Sequence, residues 1–211
     1  LFRRELDTAN QQLNEVAASA ARFGCALLTA GIVGTAALAK ITKSASDAVE
    51  AANRFNQVFR AAGAGAASAW ADSFASSVGR ARTEVRDTLS TFQGFFVGLG
   101  FGADQAEIFS RKLTEASVDF ASFNNLADDD ALRRFIGALS GSPETLDKFG
   151  FNVREAAVNA ELLAMGIQKT TRTATEQQKA VAKMNIIMRT MGKLGATGDA
   201  IRTADEYANV L

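Results

Sequence analysis

The sequence predicts an all-α fold: a long Ala-rich coiled-coil-like helix followed by a compact bundle of shorter helices. Three observations carry this. One Pro occurs in 211 residues, against a usual ~5%, so almost nothing interrupts a helix. Ala, Leu, Gln, Glu, Lys and Arg are abundant, and these side chains lose little on entering a helix. Apolar residues recur at three–four spacing, while alternating runs of Val, Ile, Thr and Tyr that would mark strands are missing.

Residues 1–62 read as a helical stem. Phe2, Leu6, Ala9, Leu13, Val16, Ala20, Phe23, Leu27, Ala30, Gly34, Ala37 and Ile41 alternate in steps of four and three. That is the seam of a helix packed lengthwise on another. Two consecutive steps of four reach Ala45 through Ile41, a stutter that unwinds a supercoil without breaking the helix. Ala48, Ala52, Phe55, Phe59 and Ala62 then resume the seam. A continuous helix of about 60 residues would extend roughly 90 Å. Its many Ala and Gly seam positions bury little area per layer, so the stem is expected to need self-association.

Gly63-Ala64-Gly65 ends the stem, and a compact module over 66–198 follows. A first helix is expected over 66–78, around Trp70 and Phe74. The next spans 81–97, with Val85, Leu89, Phe92 and Phe96 in one stripe. Gly98, Gly100 and Gly102 interrupt it. A third helix over 103–123 presents Ala106, Phe109, Leu113, Ala116, Phe120 and Phe123. A fourth starts at Asp128 and presents Leu132, Phe135, Ile136 and Leu139. Gly141 suits a left-handed C-terminal cap, Ser142 an N-cap and Pro143 the first position of a short helix ending at Phe149-Gly150. A further helix carries Val158, Leu162 and Met165 and stops at Gly166-Ile167. Thr175-x-x-Gln178 is a capping box for the last clear helix, which carries Val181, Met184, Ile187, Met188 and Met191. Residues 199–211 read as the start of another segment, and the chain, beginning at Leu1, as a piece of a longer protein. Glu50/Arg54, Glu107/Arg111 and Asp130/Arg134 have the acid-first i,i+4 order of solvated helix faces.

Composition narrows the chemistry. There are 23 basic and 23 acidic side chains, no His and one Cys. Without His there is no Ser–His–Asp or Cys–His triad and no HExxH zinc site. The balanced charge gives no reason to expect sequence-specific nucleic-acid binding. Leu1–Glu15 is amphipathic and mixed in charge, unlike a signal segment. Cys25 sits in an apolar run, with Arg22 its nearest basic neighbour, and reads as a small buried hydrophobe. The Met184/Met188/Met191 stripe reads as core. Fifteen Phe against one Trp and one Tyr suit dry helix packing rather than base stacking.

Two motifs invite a sharper reading and lose it to a plainer one. Asp128-Asp129-Asp130 could hold a cation, but acids at a helix N-terminus satisfy free N–H groups and favour the dipole. Gly98-x-Gly100-x-Gly102 lacks the Lys-Ser/Thr of a phosphate loop and follows a helix rather than a strand. No catalytic, cofactor-binding or metal-ligating residue is assigned, and an enzyme is not expected. Residues 23–39 are uncharged between Arg22 and Lys40. Their length is at the lower limit for a bilayer span. A buried oligomer seam is the favoured reading of them, and a membrane-inserting or pore-forming helix is the alternative.

Ser73–Gly79 (SFASSVG), Asp119–Asn124 (DFASFN), Ala138–Gly141 with Glu144, Leu146, Phe149 and Gly150, Gly166-Ile167 with Thr175-Glu176 and Lys179, and Gly198-Asp199 with Arg202-Thr203 occur in that order. Together they resemble the N-terminal region of tail tape measure proteins of long-tailed bacteriophages and prophages. The resemblance spans about 130 residues behind the heptad stem. It implies a structural virion protein that occupies the tail tube, sets tail length during assembly and is released to assist DNA ejection. The partners it implies are further copies of the chain, the tail tube protein, tail assembly chaperones and tail tip or distal tail proteins. For some members it also implies contact with the host inner membrane. The location implied is the phage tail interior, after assembly in the host cytoplasm.

Overall fold

The computed structural model describes residues 49–208, and no strand occurs among them. The chain divides after Glu50, and the unit from Ala51 onward holds nearly all of the described residues. The heptad seam up to Ala48, the uncharged run 23–39 and Cys25 lie outside the described residues, as do 209–211. Among the described residues no helix is long and apolar enough to cross a membrane.

Helical backbone covers 49–58, and the part from Ala51 is labelled α1. There follow α2 (Ala64–Ser77), α3 (Arg82–Gly98), α4 (Ala103–Phe123), α5 (Asp128–Ser140), the short α6 (Glu144–Asp147), α7 (Glu155–Ala164), α8 (Glu176–Leu194) and α9 (Asp199–Ala208). The all-α class thus holds. The described end of the segment read as a stem is helical over 49–58 and turns over 59–62. Phe55 and Phe59 are buried at 4% and 0% exposure. They stack on each other at 4.7 Å and join Ala67, Ala71, Ala75, Val85 and Leu89 in one cluster. The expected stem end at 62 therefore lies inside the compact unit. The two rings that read as seam knobs find their partners on α2 and α3, where three alanines leave room for them.

The centre of the bundle is α4, which packs on α3, α5, α8 and α9. From Leu113 to Ala121 every residue except Glu115 is buried, so no wide solvent face survives over two turns. The α3 stripe (Val85, Leu89, Phe92, Phe96) is wholly buried. In the α4 stripe, Ala106, Leu113, Ala116 and Phe120 are buried, Phe109 is half-buried and Phe123 stays 45% exposed. Where α4 faces α3 the contact is partly aromatic, with Phe96 5.3 Å from Phe109, and partly polar. Gln93, fully buried, donates to the Ala103 carbonyl at 3.2 Å and accepts from the Ser110 hydroxyl at 3.2 Å. The buried amide thereby pairs with polar groups trapped between the helices.

The remaining turns follow their sequence signals with two corrections. Gly141 takes φ +123°, and the N–H groups of Gly141 and Ser142 both return to the Gly137 carbonyl, a C-terminal closure that a Cβ would oppose. Ser142 does not cap α6 through its side chain, and Pro143 is the cap residue rather than the first helical one. The Thr145 hydroxyl lies 2.9 Å from both the Arg134 and Ser142 carbonyls and donates to them, which ties α6 to the end of α5 without capping it. The capping box forms as read: Gln178 N–H donates to Thr175 Oγ1 at 3.2 Å, and Gln178 Oε1 accepts from Thr175 N–H at 3.0 Å. Residues 199–208 do not stand apart as a new segment. They form α9, which lies on α4.

Candidate functional site

The features singled out in the sequence have structural partners. Asp128, Asp129 and Asp130 occupy the first turn of α5. Asp128 accepts from Arg80 at 2.9 Å, while Asp129 and Asp130 both pair with Arg133. Hydrogen bonding to Arg133 holds Asp130 below the ordinary carboxylate range. Among the described residues no group of three or more Cys, Asp or Glu is placed to hold a metal ion. Gly98, Gly100 and Gly102 turn the chain between α3 and α4, and Phe101 between them packs its edge on Phe96 and Phe109 at 5.5 and 5.4 Å. Met184 and Met191 are core, with Met188 half-buried beside them. Of the expected i,i+4 pairs, Glu107–Arg111 forms. Arg54 instead meets Asp87 on α3, and Arg134 reaches the Thr145 carbonyl at 3.3 Å.

Four polar arrangements were not legible as motifs. Glu161, only 7% exposed on α7, pairs with Arg189 of α8 at 2.7 Å. Lys183 donates to the Leu139 carbonyl at the end of α5 at 2.8 Å; burial, then the charge of Lys179, pushes its ammonium below the usual lysine range. The Arg111 guanidinium lies 5.2 Å from the centre of the Trp70 ring, and that ring stacks on Phe74 at 5.4 Å. Such a cation–ring contact is worth about 0.5–2 kcal/mol.

The fourth is the most built. Asp119, 6% exposed, accepts from Gly198 N–H at 2.6 Å and from Ala200 N–H at 3.1 Å. Both carboxylate oxygens are thus used to cap α9 from another helix. Gly198 can present its N–H because it adopts φ +76°, a conformation open to glycine. Ser122, one turn along, shares a 2.8 Å hydrogen bond with Thr203. Asp119 is pushed up by burial, against the pull of those two backbone donors; Asp199 adds to the rise and Arg202 opposes it. Glu115, one turn earlier on α4, is also raised, by desolvation and then by Asp119 itself.

The sign of the pH dependence follows. An acid raised in the folded state binds its proton more tightly there than in the unfolded chain. Its contribution favours folding below the unfolded value of about 4 and is lost as pH rises through the folded value. Asp119→Asn removes this titration. Wild-type stability relative to that variant is expected to fall as pH is raised from about 4 towards neutrality, read by denaturant unfolding at stepped pH. A difference constant across that range would refute it.

What these groups do chemically is dock helices: they cap free N–H and C=O ends and neutralise charges that packing has buried. No family model, curated protein or solved structure matches the chain.

Proposed function

We propose that this chain belongs to a structural virion protein, a tail tape measure protein that occupies the phage tail tube, sets its length during assembly and leaves to assist DNA ejection. The observation that carries the reading is the ordered set of elements from Ser73 to Thr203, behind a heptad seam that begins at Phe2. The positions of those elements are compatible with it. Phe120 and Ala121 lie in the core, Gly141 and Gly150 make turns at positive φ, and Gly198 and Thr203 dock α9. A shared helical module would retain residues of that kind.

In this reading the two parts of the chain have different duties. A straight helix converts residue number into length at ~1.5 Å per residue, which suits residues up to about 50 to measuring. The unit from Ala51 onward is folded back on itself and adds little length per residue. Its role is to engage assembly factors, the tube end or the tail tip, while the seam recruits further copies of the chain.

The test is genetic. In-frame deletions of whole heptads between Phe2 and Ala48, made in the phage or prophage that carries the gene, are expected to shorten tails by about 10 Å per heptad. Electron microscopy of purified tails measures it. Unchanged tail length with normal particle yield would place the ruler elsewhere in the chain, and tails whose length tracks no deletion in any part of the gene would remove the tape measure reading.

A further inference from the structure

We propose that α9 is a releasable strap: it undocks from α4 as a unit about a Thr197–Gly198 hinge, while the rest of the bundle stays folded, and its release uncovers the Val78/Val118 face. The inference does not depend on the proposed virion role.

Over 199–204, the part of α9 whose side chains are described, the attachment is more polar than apolar. Among residues 199–204 Ala200 alone is buried, and the larger Ile201 is 56% exposed. By contrast α8 buries Ala180, Ala182, Met184, Ile186, Ile187 and Met191. Among the described side chains, α9 is held by the Asp119 carboxylate on two N–H groups, the Ser122–Thr203 pair and the small apolar contact of Ala200. Water can replace each of these hydrogen bonds on opening, so the net loss is small. Opening also returns a buried carboxylate to solvent, which recovers the cost of its burial. An apolar anchor offers no such compensation.

The strap keeps most of its own bonds when the contact breaks. Gly195 and Gly198 both sit at positive φ and bracket Ala196, which is buried in the main core, and the exposed Thr197, so the free pivot is Thr197–Gly198. Arg202 donates to the Thr197 carbonyl at 2.8 Å, to the Gly195 carbonyl at 3.0 Å and to Asp199 at 3.0 Å. The Thr197 carbonyl and Asp199 stay with α9, so the helix start remains organised after release, whereas the contact with the Gly195 carbonyl, which closes α8, must break. What α9 leaves behind is a small apolar face, Val78 and Val118 with Phe74 beside them, which Ala200 closes when docked. Contacts of this kind mark the low-stability end of a domain, where local opening precedes global unfolding.

Native-state hydrogen exchange on the 211-residue chain tests this. Amides of 203–208 are expected to exchange at least about tenfold faster than those of 113–121 and 182–191, with little dependence on low denaturant. Asp119→Ala should accelerate 203–208 at least a further tenfold or so and leave 182–191 unchanged, with Asp119→Asn between the two. A single rate shared by α9, α4 and α8 in the wild type would overturn the strap, as would acceleration of all three together in a folded Asp119→Ala. If that variant fails to fold, it overturns the proposal too, since release of α9 would then carry the bundle with it.

Discussion

Phe120→Ala is expected to cost about 3–5 kcal/mol of unfolding free energy, in the range of large aromatic truncations in a packed core. The ring is 1% exposed and meets three others, Phe135 at 5.4 Å, Phe149 at 4.8 Å and Phe151 at 5.6 Å. Those rings come from α5, from the turn after α6 and from the extended segment before α7. Removing the hub therefore opens a cavity and also strips three ring contacts, two edge-on and one tilted, each worth about 0.5–1.5 kcal/mol beyond area. Collapse around the hole is hindered because the backbone of α4 is fixed by neighbours on several sides. Against a typical total of about 5–15 kcal/mol, the loss is a large fraction. At ~2–4 °C per kcal/mol, the midpoint of thermal unfolding should drop by roughly 10 °C or more. Phe123→Ala, three residues on and 45% exposed, is the matched control and should stay within about 1 kcal/mol. Equal losses at the two positions would contradict the central placement of α4.

Arg189→Met is expected to cost about 2–3 kcal/mol, because it strands the Glu161 carboxylate in a nearly dry position. The value lies below that of a fully buried pair because the arginine side chain is itself 51% exposed and partly screened by water. Glu161→Leu combined with Arg189→Met should recover most of the loss, since an apolar pair in place of a buried ion pair is often neutral. A double-mutant cycle by denaturant titration gives the coupling directly. Additive single losses would mean that the two side chains do not share their energy across the α7–α8 contact.

What could be read from residues alone was what is decided within a few residues. The Thr175/Gln178 box needs only one turn of chain, and it forms with both bonds. The Val85–Phe96 and Ala106–Phe120 stripes follow from a 3.6-residue period that holds whatever the stripe packs on. The bounds of α4 and the start of α5 were set by glycines and acids next to them. Misreadings began where a distant segment chooses the partner. Phe55 and Phe59 carry the same spacing whether they face another copy or α2, and only the tertiary structure distinguishes the two. Phe151 and Val153 are buried at 1% and 2% outside any helix, so no period could flag them. Asp119 lies on a face that local pattern marks as core, and its partners are 79 and 81 residues away. The one available signal was negative, a carboxylate lodged between Val118 and Phe120 in a buried run. The choice of Arg54 for Asp87 rather than Glu50 likewise reflects α3 passing close by.

The distance in sequence between Asp119 and Gly198 also sets an order in time. A ribosome adds about 5–20 residues per second. The 79 residues between cap and capped helix therefore take roughly 4–16 s to make. Through that interval α2 and α4 exist while the helix that closes over Val78 and Val118 does not. Every newly made copy passes through a stage in which its face is open to neighbouring nascent chains, and the arrival of Gly198 ends it.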